Sequence, residues 1–276
     1  MLYTPDQSTD LLTRPLRHLL VGQTNHVLTL TLNRPEKKNA LNATLLAELA
    51  FALAYAHHTP DVWVVVLAAA GDTFCAGMDL KALRQGDTDE PTVPPPGGPV
   101  RLGELMAGLH KPCIARVQGP VYAGGFLLVG GATYAVVSEN ATFALPEVKR
   151  GLFPFQVLAI LLDLMPARHA LDLCLRGRTL SAADALAVGL ATQVVPTAEL
   201  DEAVRALAAD LTSVSPTALR FGLRAYQQLK RLPADQQQAF LHQQFQLIQQ
   251  TADAREGMAA FLEKRKPAWK GDRLDP

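Results

Sequence analysis

The chain has 276 residues, and its 26 Lys plus Arg are balanced by 26 Asp plus Glu, so no basic excess marks it for nucleic acid or an anionic membrane. That length can bury a substantial core in one large or two small domains. Three cysteines, Cys75, Cys113 and Cys174, stand far apart and odd in number, which excludes a disulfide or zinc framework and points to free thiols in a reducing compartment.

Asp6 and Asp10 precede any apolar run, against a signal or transit peptide. No apolar stretch reaches the ~18 residues of a membrane span, and a cytoplasmic protein is expected. Residues 1–25 are set apart as an N-terminal extension. From there, short β-rich runs predict strands at His26 to Leu32, Val62 to Ala69, Cys113 to Val117, Tyr134 to Val137 and Thr192 to Val195. Helical periods fall between them near residues 43–58, 99–109, 125–131 and 181–187. Strands joined by helical crossovers make residues 26–196 an α/β core.

Between the first strand and the first helix lies "LNRPEKKNALN", residues 32–42, which carries Arg34, Lys37 and Lys38 beside Asn39 and Asn42. A plain turn needs less charge; the asparagines read as helix caps. His57 and His58, ending that helix, read as solvated capping residues. The segment "RQGDTDEPTVPPPGGPV", residues 84–100, is either a flexible surface loop or a mobile flap over a pocket. Ser181 and Asp184 have capping-box spacing. After Pro196 the strands stop, and residues 197–276 predict three or four helices, with Ser215 and Thr251 or Asp253 as caps and Pro216 and Pro233 in first turns.

The sequence contains no phosphate loop, nucleophile elbow, helical His pair at metal spacing or Gly-x-Gly-x-x-Gly after a strand. Metal, nucleotide-hydrolysis and dinucleotide chemistry are therefore poorly supported. Two glycine turns follow predicted strands instead, "GDTFCAGMDLKAL" and "VQGPVYAGGFLLVGGA". Each alone is ordinary strand-to-helix punctuation. Brought together, their unpaired N–H groups could hold an oxygen that gains negative charge. In "ATFALPEVKRGLFP", Glu147 sits in apolar company, which suits a general base or acid near neutral pH; the alternatives are an ion pair with Lys149 or Arg150 or a solvated helix-start acid.

Six ordered motifs between His26 and Lys270 resemble the crotonase superfamily, the enoyl-CoA hydratase/isomerase family: "LNRPEKKNALN", "FCAGMDL", "VQGPVYAGGFLL", "FALPEVKRGLFP", "GRTLSAADALAVGLATQVV" and "GMAAFLEKRKPAWK". The resemblance implies a spiral of βαβ units with a second small sheet and a C-terminal helical trimerisation region, assembled as a trimer or a dimer of trimers. It implies an acyl-CoA thioester as substrate, coenzyme A being part of that substrate, with no separate cofactor and no metal, nucleic acid or membrane partner. By the same match, the amides of Met78 and Gly124 stabilise a thioester enolate and Glu147 is catalytic. Lys37, Lys38 and Ala40, with Arg34, rim the phosphates of CoA; Ala76, Asp79, Leu80 and Lys81 surround the first donor; Gly125 and Leu127 follow the second. Phe261 and Lys264 match positions that reach the CoA of a neighbouring subunit.

One position departs from the family's hydratases, which use two glutamates: Glu147 matches one, but Leu127 occupies the place of the other. A single carboxylate suits a proton shuttle between two carbons, as in double-bond isomerisation, or a one-glutamate hydratase. Leu127 then excludes water, or simply packs beside Leu128 and Val129. Thioester hydrolysis, decarboxylation and acyl-CoA binding without turnover are the other readings.

Overall fold

The structure, a computed structural model, describes residues 1–271. Strands β1 (Leu19–Thr24) and β2 (Val27–Leu32) pair antiparallel around Asn25 and His26, whose φ of 49° and 65° give the tight, right-twisting hairpin. The chain continues through a 3-10 turn (Pro35–Lys37), α1 (Ala43–His58), β3 (Val64–Ala69), α2 (Leu80–Gln85), α3 (Leu102–Ala107), β4 (Cys113–Val117) and β5 (Val121–Tyr122). A second 3-10 turn (Ala123–Gly125) opens α4 (Phe126–Gly131), followed by β6 (Tyr134–Ser138), β7 (Thr142–Ala144), a 3-10 turn (Pro146–Arg150), α5 (Phe155–Leu164) and α6 (Ala167–Arg176). Then come β8 (Thr179–Ser181), α7 (Ala182–Ala187), β9 (Gln193–Val195) and the helices α8 (Leu200–Ser213), α9 (Pro216–Leu229), α10 (Ala234–Ile248) and α11 (Ala252–Glu263). No described helix is long and apolar enough to cross a membrane.

The larger sheet has the order β1-β2-β3-β4-β6-β9, parallel throughout except for β1. Its central strand, "VVVLAA", is buried at every position because both faces are covered. Val65 and Leu67 join the core beneath α1, whereas Val64 and Val66 join a second core with Val204, Ala208 and Leu211 of α8. Helix α8, placed beyond the α/β core by its sequence position, thus closes that core's other face. A smaller sheet, β5-β7-β8, pairs β5 with β7 in parallel and β7 with β8 antiparallel.

The predicted strands agree to within a residue or two; the differences lie elsewhere. β1 falls inside the stretch set apart as an extension, because an edge strand with Gly22 and exposed polar positions lacks a clear apolar period. The interval 99–109 holds only the short α3. Helices α5 and α6, with Pro154 and Pro166 at their N-caps, fill a stretch for which the sequence predicts no element. Asn42 caps α1 by accepting from the Leu45 amide, and Ser181, Ser215 and Thr251 cap α7, α9 and α11. Asp253 instead accepts from Ser215 and the Lys270 amide, tying α11 to α9 and the C-terminal segment. Pro233 stands at the N-cap of α10 rather than inside its first turn.

Two expectations are corrected outright. Asn39 caps no helix: it is buried, and its side chain accepts from the Arg34 amide and donates to the carbonyls of Ala70 and Thr73. His57 and His58 are not solvated caps. His57 meets the Leu109 carbonyl and His58 that of Tyr3, and burial pushes the His57 imidazole down to about 4, so it is neutral. The acidic stretch past α2 is irregular but anchored: Asp87 accepts from the Thr44 amide and Asn42, Asp89 meets His18 and Asn42, and Thr92 donates to Glu48. The last five residues of the predicted C-terminal region lie outside the described residues.

Candidate active site

The two glycine turns are joined by backbone. Phe74 and Cys75 donate to the Pro120 carbonyl, and Tyr122 donates to the Cys75 carbonyl at 2.8 Å. Cys75 is thereby bridged in parallel to Val121, which pairs in parallel with Phe143. Three segments therefore run side by side in one direction. Met78 comes three residues beyond Cys75, Gly124 three beyond Val121 and Glu147 four beyond Phe143, so all three leave the same end of this small sheet.

Close approach explains the glycines. A Cβ on Gly77 would lie 2.6 Å from the Ala123 Cβ and 3.1 Å from the Gly124 nitrogen, and the φ of +85° at Gly77 disfavours any side chain. A Cβ on Gly119 would collide with the Asp72 carbonyl, and one on Gly125 would lie 2.9 Å from the Cys75 Cβ. Ala123 holds a φ of 49°, a left-handed conformation for a residue with a side chain, directly before Gly124. The turn stores that strain at the donor itself.

Both amides point away from existing partners. Leu41 donates to the Gly77 carbonyl and accepts from the Asp79 amide, a parallel bridge that leaves the Met78 N–H facing the opposite way. Gly124 is the second residue of its 3-10 turn, where no carbonyl three residues back lies within the helix.

Segment 32–42 fixes the first donor turn in place. Lys38 accepts from the Ala76 amide, Leu41 bridges Met78, and Asn39 holds the carbonyls of Ala70 and Thr73. Arg34 donates to the Ala40 carbonyl at 2.6 Å and lies 3.3 Å from Asp79. Asp79 also caps α2, and the Ala82 amide together with Arg34 holds its carboxyl below the usual range. Arg34 is therefore buried and engaged, not a phosphate-rim residue, and Asp79 positions the donor turn from behind. Lys37 and Lys38 stay exposed, as do Leu80 and Lys81 at the start of α2, while Ala40 and Ala76 are partly covered.

Glu147 is half-buried, and its Oε2 is enclosed without a hydrogen-bond partner. Burial raises its carboxyl above the usual 4.5, partly offset by its own backbone amide and by Arg150. Among the described residues it forms no ion pair with Lys149 or Arg150, both of which are exposed. Cys174 of α6 lies close enough that the Glu147 charge adds to the burial raising that thiol to about 11. Nothing in the sequence marked Cys174, or the strain at Ala123, as belonging here.

Leu127 is buried and forms part of the wall of a cavity of about 590 Å³ between α3, α4, α5 and α9. It is both a core residue and a wall. Phe261 and Lys264 are exposed at the end of α11, which packs on α9.

Comparison with known proteins gives the chain its relatives. Residues 22–272 match the family model described as enoyl-CoA hydratase/isomerase. Enoyl-CoA hydratase EchA19 of Mycobacterium tuberculosis is 35% identical over 251 residues, covering 90% of this chain and 94% of that protein. The carnitinyl-CoA dehydratase of Salmonella typhi is 34% identical, covering 89% and 95%. Crystal structures of enoyl-CoA hydratases from Mycobacterium smegmatis and Bacillus anthracis superpose with a TM-score of 0.82 each, at 31% and 29% identity, over 92% and 93% of this chain and 99% and 100% of theirs. Motifs, fold and relatives agree: the chain belongs to the enoyl-CoA hydratase/isomerase family of the crotonase superfamily.

Proposed function

We propose that the chain acts on acyl-CoA thioesters, holding the thioester oxygen between the Met78 and Gly124 amides as it gains enolate charge, with Glu147 moving the proton. The carrying observation is the parallel register Cys75–Val121–Phe143, which sends both amides and the Glu147 carboxylate, with its enclosed and unpartnered Oε2, out of the same end of the small sheet. Two preorganised donors stabilise developing charge without rearrangement, and each contributes roughly 3–4 kcal/mol in comparable sites. A carboxyl raised by burial holds and releases a proton nearer neutral pH than an exposed one.

With Leu127 in the wall where the family's hydratases place a second glutamate, Glu147 carries the proton traffic alone. That favours moving a double bond between carbons of the acyl chain, or water addition through one carboxylate; the names of the relatives favour the latter, since they are a hydratase and a dehydratase. Coenzyme A enters as part of the substrate, with Lys37, Lys38 and Lys81 the exposed cations for its phosphates. Phe261 and Lys264 reach that site from a neighbouring copy in a trimer or dimer of trimers. The buried free thiols fit a cytoplasmic setting.

The test is Glu147→Gln assayed against the parent on 2-enoyl and 3-enoyl CoAs. Loss of a proton-transfer group lowers kcat by roughly a hundred- to ten-thousand-fold; full retention of the parent's activity overturns the assignment.

A further inference from the structure

The cavity of about 590 Å³ begins one turn from Gly124. Leu127, which lines it, stands three residues beyond that glycine, about 5 Å along the 3-10 turn and the start of α4. From there the lining follows α4 to Thr133, about 9 Å, and α5 from Gln156 to Leu164, about 12 Å, at 1.5 Å per residue. The walls are apolar: Leu102, Met106 and Leu127 are buried, and Ile160, Leu164 and Leu223 are half-buried. Ala107 of α3 and Ala159 of α5 also line the space, and side chains this small leave its width open.

The charged side chains of the lining already have partners. Arg101 pairs with Glu104 at 3.2 Å, and Asp163 pairs with Lys230. Lys111 donates to the Ala56 and Thr59 carbonyls at the end of α1, which holds its ammonium group there. Burial, followed by Arg224 and Arg220, lowers the His110 imidazole and favours its neutral form. Asp163, Tyr226 and Lys230 are exposed, so this polar rim stands at the solvent end of the cavity, away from buried Leu127. A space of this size whose charges are all engaged within the protein suits an apolar occupant; a charged one would lose its water without gaining a partner.

We infer that the substrate's acyl group is an unbranched apolar chain of about ten to twelve carbons, which passes Leu127 and fills this cavity toward the Asp163–Lys230 pair. The inference rests on the acyl-CoA reading above and names its substrate class, the medium- to long-chain acyl-CoA thioesters. An extended chain advances about 1.2 Å per bond, so about 9–12 Å of cavity takes roughly seven to ten carbons beyond those beside the donors. Leu127 then does more than keep water from the thioester: it is the first apolar contact of the tail. A four-carbon acyl group ends near Leu127 and leaves the apolar walls beyond it unfilled.

The test measures binding of the saturated butyryl-, hexanoyl-, octanoyl-, decanoyl- and dodecanoyl-CoA esters by calorimetry, alongside turnover of their 2-enoyl counterparts. Burial of each added methylene tightens binding by up to about fourfold. Decanoyl-CoA is therefore expected to bind the parent at least about a hundredfold more tightly than butyryl-CoA, with the gain levelling near twelve carbons. Ala159→Phe and Ala107→Phe, which narrow the cavity from opposite helices, are expected to remove most of that gain. Equal binding of butyryl- and decanoyl-CoA by the parent overturns the proposal, as does a gain that both variants leave unchanged, which would put the tail elsewhere. Should neither variant fold, the parent's series decides alone. Length-dependent binding with no turnover of any enoyl-CoA would sink the catalytic reading and leave this one standing; turnover with no dependence of binding on length would do the reverse.

Discussion

A carboxylate with one enclosed oxygen and no partner is unfavourable for the fold, and Glu147 is such a group. Its folded pKa is raised, so the sign of its effect on stability follows directly. The protonated form is the one the fold tolerates. The contribution is fully present below the carboxyl's ordinary 4.5 and is lost as pH rises through the raised folded value. Glu147→Gln is therefore expected to gain thermal stability relative to the parent at pH 7 and to lose that advantage as pH falls below about 4.5, measured by paired thermal melts across pH. An advantage that grows toward acid pH would contradict the assignment of burial as the cause. This residue was visible in the sequence by its apolar neighbours, but its lack of a partner was not, because Lys149 and Arg150 stood equally near in sequence and only the 3-10 turn leaves both exposed.

At the scale of elements, the donor turns depend on segment 32–42. Its charge suggested a ligand rim, and of its cations Lys37 and Lys38 are exposed. Arg34 and Asn39 behave otherwise, because the first donor turn presents carbonyls and Asp79 for which these two side chains are the partners. Those partners come from 31 to 45 residues away in the chain, a separation that no local pattern conveys. Asn39→Ala removes three side-chain hydrogen bonds, two of them buried, and puts a methyl side chain at a φ of 53°. A loss of about 2–4 kcal/mol is expected in denaturant titrations at fixed protein concentration; a loss below about 1 kcal/mol would show that the clamp is incidental. The three strands of the small sheet were equally hard to read, having only two or three residues each, too few to show a period.

For the whole molecule, alternation and crossover helices made the larger sheet legible, since its strands are long enough to carry their pattern. The role of α8 was less so: its apolar stripe shows that it packs on something, and only the fold reveals the back of β3 and β4 that it covers. The stripes on α10 and α11 remain outside any core within one chain, with Phe245, Leu247, Met258, Phe261 and Leu262 exposed. A face of that kind calls for a protein partner, and further copies of this chain are the expected one. Sedimentation equilibrium of the parent should give three or six chains per particle, and Phe261→Asp combined with Met258→Asp should lower that number; a parent that is monomeric at micromolar concentration would contradict the assembly.

Everything proposed for the reaction rests on the thioester oxygen lying between the Met78 and Gly124 amides. That contact can be read from the infrared stretch of a bound acyl-CoA labelled with carbon-13 at the thioester carbonyl, in the parent and in Gly77→Ala, where the added Cβ would crowd the Gly124 nitrogen at 3.1 Å. A carbonyl band displaced to lower frequency is expected on binding to the parent, with the displacement largely lost in Gly77→Ala. A bound thioester whose carbonyl band stays where it is in water would contradict it.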